Sequence, residues 1–342
     1  MKQDEVVGLD IGSWAIKVIQ MRKEKGRHIA TKAGIVAVGA EDQSDDARWR
    51  IYTATAIRAY LKIAGIKTKS IVCGVGGSDV AVRCFKFPPM PADEIEGAVA
   101  LEAAQVCPFD VERDGVIDYQ LISNDENNIV GILVAATKQS IARKRRIVRD
   151  ASFDAALMDV DSLALLNCLE EYEQSEHGLT TAILNVGSSH TNLAITQPDS
   201  VPFVRDIAYG GRIITKHMAA DKNASEETVA RILYNEEQLS EPQSELHSSL
   251  AKACRELITE VSETFRYYAA ERQSSVKRVL VCGGFAMVKG FVELINSQLT
   301  AEAVLWNPFD RIPYVASLHS KRVLRQTGPA MAVAAGLAMR SV

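Results

Sequence analysis

The chain of 342 residues has no apolar run near the roughly 18 residues that a membrane span requires, and its first residues do not form a signal peptide. Its six cysteines include no CxxC pair, so we expect buried thiols in a reducing cytoplasm. The net charge is only −4, which gives the chain no overall attraction to nucleic acid or to an anionic membrane. These absences favour a globular, cytoplasmic protein with no direct membrane span.

Length and composition favour a chain with substantial hydrophobic cores. The length predicts about two domains. A hydrophobic content of 47% with 24% charged residues is ordinary for a globular protein.

The most informative feature is a short segment that occurs twice, as GLDIGS at residues 8–13 and as LNVGSS at residues 184–189. Each copy follows an apolar run, carries one polar residue (Asp10 or Asn185), turns at glycine and serine, and leads into another alternating run. This pattern predicts two β-hairpins. Glycine lets the backbone approach a ligand, and the amides of the turn form a nest for phosphate. The predicted phosphate-contacting turn residues are Gly12, Ser13, Gly187, Ser188 and Ser189.

Further candidate residues surround the first turn. Asp10, at a strand end, can hold Mg²⁺ through water. Ser13 and Lys17 lie four residues apart on a predicted strand, which would place both on one face and within reach of phosphate. Trp14 is expected to stack on the ligand or to pack under the loop.

The paired hairpins, with three other segments in the same order, resemble the actin-like ATPase superfamily, which includes actin, heat-shock chaperones, sugar kinases and FtsA. Residues 208–215 resemble the turn beside the ribose, and residues 279–285 resemble the adenosine loop. Residues 159–166 and 328–337 resemble the two connecting helices of the hinge. The resemblance implies an α/β fold in which two duplicated domains surround a cleft that binds ATP with Mg²⁺. It adds the cofactor-binding residues Gly211, Gly283, Gly284, Phe285 and Gly328.

Within that superfamily the chain resembles the PilM family of type IV pilus assembly. Residues 87–120 resemble its IC subdomain, and residues 203–207 and 306–309 are similar to other PilM segments. The resemblance implies a cytoplasmic scaffold that binds the N-terminal peptide of a PilN-like inner-membrane protein between subdomains IA and IC. It also implies contacts with other platform proteins and a homo-oligomeric ring, with no nucleic acid bound. A relative from another fimbrial or secretion system would look much the same.

The same resemblance predicts the domain boundaries. Domain I covers residues 1–177, with IA at 1–73 and 153–177 and IC at 74–152. Domain II covers residues 178–342, with IIA at 178–214 and 276–315, IIB at 215–275, and 316–342 returning to IA. Local patterns predict helices at 49–63 and 93–105, the second capped by Asp93, and a polar loop at 235–242.

Two positions depart from the superfamily pattern. The aspartate that usually orients the attacking water is replaced by Asn185, which cannot accept a proton. General base catalysis contributes about 10² to 10⁴ in rate, so we expect ATP to bind and to be hydrolysed slowly. In the helix at 225–234, Arg231 is the only substitute for the usual adenine-contacting pair.

Several alternatives remain open at this stage. The chain could be an active ATPase, a sugar-kinase-like phosphotransferase or a filament-forming protein, and His190 could act on phosphate or be an ordinary loop residue. A basic helix is predicted to present a solvated face, or to contact an acidic partner or anionic lipid. Since FtsA-type proteins use a C-terminal amphipathic helix and residues 339–342 show none, we expect a partner to supply any membrane attachment. The basic residues of that helix are Lys138, Arg143, Lys144, Arg145, Arg146 and Arg149.

Overall fold

The computed structural model describes residues 5–39, 46–68, 70–124, 126–172, 179–198, 200–234 and 243–341. Within these residues, two five-stranded sheets and one three-stranded sheet are surrounded by helices. None of the helices in these ranges combines the length and the apolar character that crossing a bilayer requires.

The first sheet has the strand order β3-β2-β1-β4-β8. Its first three strands are antiparallel, whereas β1, β4 and β8 run parallel, so the carboxyl ends of these three strands meet at one edge. The strands are β1 (Glu5–Ile11), β2 (Ala15–Glu24), β3 (Arg27–Ala37), β4 (Ile71–Val75) and β8 (Ala155–Val160).

The second sheet repeats this topology with the order β11-β10-β9-β12-β13. Again an antiparallel trio adjoins a parallel trio, and the carboxyl ends of β9, β12 and β13 share one edge. The prediction of two hairpins on duplicated α/β units is therefore confirmed. The strands are β9 (Thr181–Val186), β10 (Thr191–Thr196), β11 (Phe203–Ile207), β12 (Arg278–Cys282) and β13 (Glu302–Leu305).

Helices α5 (Asp161–Tyr172) and α12 (Ala332–Ala338) lie between the two large sheets. One continuous core contains Val72 of the first sheet, Leu280 of the second, Leu165 of α5 and Leu337 of α12. All of these side chains are almost completely buried. The two helices therefore join the sheets into one packed unit.

The outer faces of the large sheets have their own helical layers. Helices α1 (Asp46–Ile63) and α4 (Lys138–Asp150) cover the first sheet, where Ile57 and Ile147 share a core with Leu9. Helix α11 (Leu318–Thr327) packs near β3. The second sheet packs against α6 (Gly211–Lys222), α7 (Glu226–Leu233), α8 (Gln243–Ala253), α9 (Arg255–Arg272) and α10 (Phe291–Gln298).

The three-stranded sheet has the order β5-β7-β6 and lies between β4 and α4 in the chain. Its core joins Phe85, Leu133 and Val99. Its elements are β5 (Val80–Phe87), α2 (Ile95–Val106), α3 (Val111–Asp114), β6 (Gly115–Asn124) and β7 (Ile129–Thr137).

Some local predictions are confirmed and others are wrong. The helix predicted at 49–63 is α1, but Asp93 does not cap α2, because Glu94 occupies the cap position without a side-chain hydrogen bond. The connecting helix predicted from residue 159 begins at Asp161, since Asp159 and Val160 are the last two residues of strand β8. The predicted polar loop at 235–242 lies outside the described residues. The domain boundaries stay a prediction, although α4 packs on α1 of the first sheet.

The central helices can approach each other and β1 only because glycines lie at the crossings. A Cβ atom on Gly336 of α12 would lie 1.7 Å from the backbone oxygen of Ala164 in α5. One on Gly8 of β1 would lie 1.9 Å from the backbone oxygen of Ala334. Both clashes are with backbone, so no side-chain rotation relieves them.

We predict that Gly336→Ala lowers the free energy of unfolding by about 1–3 kcal/mol, because the helices must move apart to admit the methyl group. The matched control is Gly97→Ala in α2, where a Cβ atom meets nothing within 4 Å. That control should raise stability by about 0.5–1 kcal/mol, the usual gain from replacing a helical glycine. Urea unfolding measures both variants, and equal effects would contradict the packing argument.

Candidate functional site

The two hairpin turns are built in the same way. In the first turn the Gly12 N–H donates to the Ala15 carbonyl at 3.2 Å, and in the second the Gly187 N–H donates to the His190 carbonyl at 3.0 Å. A Cβ atom on either glycine would lie within about 3 Å of the same acceptor oxygen. Each turn therefore requires glycine for its tight closure at the carboxyl end of a strand.

Equivalent polar pairs stand beside these turns. Asp10 is paired across the first hairpin with Lys17, whose Nζ donates to Asp10 Oδ2 at 2.9 Å. Asn185 is paired across the second hairpin with Asn192, and its Nδ2 donates to Asn192 Oδ1 at 2.8 Å. The duplication thus places an ion pair on one sheet and a neutral amide pair at the matching position of the other.

A carboxylate that the sequence reasoning missed lies next to Asp10. Asp161 is buried at the start of α5, where Cβ atoms on Gly74 and Gly76 would lie 2.1 Å and 2.6 Å from its two oxygens. Its Oδ1 has no hydrogen-bond partner among the described residues. Burial and the repulsion of Asp10 raise the pKa of Asp161 to about 7. The glycines thus leave an unpaired acid with access to both protonation states near neutral pH.

The basic helix contributes to the same site. Lys144 of α4 donates to the carbonyl of Ile11, at the end of β1, and its charge acts on both Asp161 and His190. Burial lowers the pKa of His190, so this side chain is neutral at pH 7. The second turn, which carries His190, therefore lies close to the acids and lysines of the first.

A hydrogen-bonded chain crosses from the second hairpin to the first domain. Asn192, already bonded to Asn185, donates from Nδ2 to Asp206 Oδ1 at 2.8 Å. Asp206 Oδ2 accepts from the backbone N–H of Gly77 at 2.7 Å. Burial raises the pKa of Asp206, although both of these hydrogen bonds favour its charged form. Asn185 is therefore linked to the loop that precedes β5.

The predicted adenosine loop lies at the edge of the second sheet. Gly283 has φ +93°, and a Cβ atom there would lie 2.7 Å from Asn185 Oδ1. Gly284 has open space where its side chain would be, and its carbonyl accepts from Tyr234 Oη at 3.3 Å. Gly284 is therefore the position in this loop where a ligand can lie against the backbone.

Three of the predicted residues lie in closely packed surroundings. The ring of Phe285 is buried against Phe291 at 5.1 Å between ring centres, and a Cβ atom on Gly211 would lie 2.5 Å from the Phe285 ring. Gly328 is similarly filled, because a Cβ atom there would lie 2.0 Å from Asn307 Oδ1. Neither Gly211 nor Gly328 could therefore be replaced by a larger residue without a shift of its neighbours.

The expected common face of Ser13 and Lys17 is wrong. Ser13 lies in the turn, and β2 begins only at Ala15, so the alternation of a strand does not relate the two residues. Trp14 is 52% exposed and does not pack under the loop, although its carbonyl accepts from the Val38 N–H at 2.9 Å. In the second turn, Ser188 is tied to α6, whose Arg212 N–H donates to the Ser188 carbonyl at 2.9 Å.

The acids present fit a hydrated Mg²⁺ ion that is shared with a ligand. No three His, Cys, Asp or Glu side chains in the described ranges lie close enough to hold a metal by themselves. Mg²⁺ keeps several waters and takes one or two carboxylates together with phosphate oxygens. Asp10 and the unpaired Oδ1 of Asp161 supply that number of ligands.

Comparison with known proteins agrees with this architecture. The family description "Type IV pilus assembly protein PilM" matches residues 8–342. This chain belongs to the PilM family. The prediction made from the hairpins and the IC-like segment is therefore confirmed.

Solved structures place the PilM-family chain in the actin-like ATPase fold. It matches a PilM-PilN type IV pilus biogenesis complex with a TM-score of 0.81 at 22% identity, covering 99% of this chain and 98% of that one. It also matches the ethanolamine utilization protein EutJ from Carboxydothermus hydrogenoformans, with a TM-score of 0.57 at 13% identity over 100% and 91% of the chains. A diol dehydratase-reactivating factor matches with a TM-score of 0.55 at 10% identity over 97% and 98%.

Topology supplies the signal that would have revealed the missed acid in this PilM-family chain. Asp161 directly follows β8, and Gly74 is the second-last residue of β4. Both strands run parallel to β1. Ligands of open α/β sheets bind beyond the carboxyl ends of such strands. An acid at the carboxyl edge of these strands is therefore a candidate ligand-binding residue even when no sequence motif marks it.

We predict that Asp161→Asn stabilises the folded protein increasingly as the pH rises. Because its folded-state pKa of about 7 exceeds the ordinary 3.8, the stabilising proton is fully bound below about pH 4 and is lost as the pH rises through 7. The neutral amide avoids this loss, so its advantage should grow between about pH 4 and 7 to the order of a few kcal/mol and then level off. Urea unfolding of the variant and the parent protein in the presence of EDTA, at several pH values between about 4 and 8, measures this difference in the free energy of unfolding.

The control for this titration is Asp154→Asn, which changes an exposed acid in the loop after α4. Its effect on the free energy of unfolding should be within about 0.5 kcal/mol, as is usual for an exposed position. A difference between Asp161→Asn and the parent protein that does not change with pH would show that the buried carboxyl has no raised pKa.

Proposed function

We propose that this PilM-family protein is an ATP·Mg²⁺-binding cytoplasmic scaffold of the type IV pilus assembly platform, held at the inner membrane by a PilN-like partner. The observation that carries the nucleotide assignment is the pair of identical glycine turns at the carboxyl edges of two sheets, with Asp10 and Lys17 on one and Asn185 on the other. Two such turns close together can bind one phosphate chain from both sides.

In this proposal, different residues contact the phosphates, the Mg²⁺ ion and the nucleoside. Lys17 and Lys144 supply positive charge at the first turn, while backbone amides of both turns supply donors for phosphate. Asp10 and Asp161 would hold Mg²⁺, which screens the negative charge of the phosphates when it is bound. Gly284, which has open space in place of a side chain, gives the nucleoside a surface of bare backbone.

Nucleotide binding in this scheme is coupled to the arrangement of the domains. A ligand that contacts both turns stabilises the arrangement in which they are close together. The chain from Asn185 through Asn192 and Asp206 to the Gly77 N–H reaches the loop that leads into β5. The three-stranded sheet is therefore the part of the first domain that would respond to the state of the second turn.

A second candidate function is an ATPase, and Asp161 is the observation that favours it. A buried carboxyl with a pKa of about 7 has the protonation behaviour of a general base at neutral pH. Asn185 lacks that capacity, which supports slow turnover in the scaffold assignment. Rapid ATP consumption that Asp161→Asn abolishes would identify an enzyme, whereas near-absent turnover with bound nucleotide favours the scaffold.

We predict that Asp10→Ala weakens ATP binding in the presence of Mg²⁺ by about tenfold or more, since removing a charged partner costs about 1.5–3 kcal/mol. Isothermal titration calorimetry with and without EDTA is the measurement. The parent protein should bind more tightly with Mg²⁺, and the variant should lose most of that difference. The exposed Asp154→Ala serves as the matched control, and unchanged affinity of Asp10→Ala would remove Asp10 from the site.

The partner assignment rests on the family and on the three-stranded sheet. One matched structure is a complex of PilM with PilN. Among the described strands, β6 lies at the edge of its sheet and pairs with β7 alone, and it exposes Val116 and Ile122. An edge strand with exposed apolar side chains can bind an extended peptide by strand addition. Other platform contacts and a homo-oligomeric ring belong to the same proposal.

We predict that the cytoplasmic N-terminal peptide of a PilN-like protein binds this chain and protects residues 80–137 from hydrogen exchange. In cells, coexpression with that partner should move the chain to the membrane fraction, and deletion of the peptide should release it. The edge strand β13 provides an internal control that should show no protection. Protection confined to the second domain would contradict peptide binding at the three-stranded sheet.

A further inference from the structure

Positive charge is concentrated in the outer helical layer of the first sheet. Helix α1 has four basic residues and α4 has six, whereas each has one acid. The chain as a whole has a net charge of −4, so the rest of the protein is strongly acidic by comparison. The two helices pack side by side, which joins their outer faces into one basic surface.

The acids within this layer are already neutralised by its own arginines. Asp46 of α1 forms an ion pair with Arg143 at 2.5 Å, and Asp150 of α4 is paired with Arg50. Arg143 also lies over the ring of Trp49, 5.1 Å from its centre. These internal pairs leave no unpaired carboxylate on either helix to oppose an anionic surface.

Three arginines of α4 remain directed to solvent. Arg145, Arg146 and Arg149 are exposed, on the side opposite the buried Ile147 and Val148. No hydrogen bond or ion pair joins the side chain of any of the three to the residues that the structure describes. Their spacing places all three on one face of the helix. We call these three residues the arginine stripe.

Helix α1 adds apolar surface beside the arginine stripe. Ile51 is 58% exposed and shares one helical row with Arg58 and Lys62, which are also exposed. Arg58 reaches across to the carbonyls at the carboxyl end of α4, so this row adjoins α4. A basic face with interspersed exposed aliphatic side chains is the composition of a helix that lies on a membrane surface.

We propose that the outer face of α1 and α4, centred on the arginine stripe, rests on the anionic phospholipid headgroups of a membrane. Charge complementarity carries the assignment, because the face formed by the two adjacent helices is basic and carries an exposed aliphatic side chain. Nucleic acid fits less well, because no row of aromatic side chains accompanies the stripe for base stacking. An acidic protein surface is the competing occupant.

The lipid contact would act together with the peptide contact. Each arginine near an anionic bilayer strengthens partitioning by about fivefold at physiological salt, so one short stripe gives weak attachment by itself. A chain tethered by a membrane protein experiences a high local concentration of lipid, which makes a weak contact effective. The face of α1 and α4 would then fix the orientation of the tethered protein.

The test is flotation of the full chain with vesicles at low salt, without nucleotide or peptide. One vesicle type is phosphatidylcholine, and the other contains roughly one third phosphatidylglycerol. We expect binding to the anionic vesicles only, with loss of binding as salt shortens the range of electrostatic attraction. The variant Arg145→Gln/Arg146→Gln/Arg149→Gln should lower the partition coefficient by about tenfold or more.

The matched control is Lys23→Gln/Lys25→Gln/Arg27→Gln, which removes three exposed positive charges from the β2–β3 hairpin. That control should retain binding to within about twofold, since these residues lie outside the basic layer. Absence of binding to anionic vesicles would overturn the proposal in favour of an acidic protein. An equal loss in both triple variants would also overturn it. Because the assay contains neither nucleotide nor peptide, its failure leaves the proposed function untouched.

Discussion

The close crossing of α12 with α5 and β1 is the constraint on which the rest of the structure depends. Gly336 meets the backbone of Ala164, and Gly8 meets the backbone of Ala334, with no space for even a methyl group. This contact places one pair of helices between two large sheets, and it makes their hydrophobic cores continuous. The two glycine turns come close together because the sheets share that central layer.

One residue of the candidate site, Asp161, is unfavourable for the stability of the folded protein. Asp161 is buried without a hydrogen bond for one oxygen, beside a second acid and two glycines that leave space for it. A folded protein gains nothing from such a group, because burying an unpaired polar atom is unfavourable. The cost of this burial supports the proposed role of Asp161 in holding a ligand beside the duplicated turns.

The two hairpins have the same backbone and different chemistry. On the first sheet Asp10 faces Lys17, and both side chains of this ion pair are mostly buried. On the second sheet Asn185 and Asn192 form a neutral pair whose hydrogen bonds continue through Asp206 to the first domain. Asn185 is thus part of a hydrogen-bonded link between the second hairpin and the first domain, which agrees with the scaffold role proposed above.

Helix α4 directs basic side chains both toward the candidate site and toward solvent. Lys144 extends inward to the end of β1, while the arginine stripe of the same helix extends outward. Because side chains on a helix repeat about every 3.6 residues, a run of four consecutive basic residues must point in several directions. Only the packing of Ile147 and Val148 determines which basic residues enter the site and which face solvent.

The sequence alone determined the local and repeated features of this protein. The glycine-serine turns, the helix near residues 46–63 and the family follow from short patterns, because turn geometry and amphipathic spacing depend on neighbouring residues. Tertiary structure decided the members of the site. Asp161, Asp206 and Lys144 come from segments far apart in the chain, and only the parallel order of the strands and the packing of α4 place them beside Asp10. Tertiary structure also packs the Phe285 ring against Phe291 and fills the space beside Gly328 with Asn307, which no local pattern predicts.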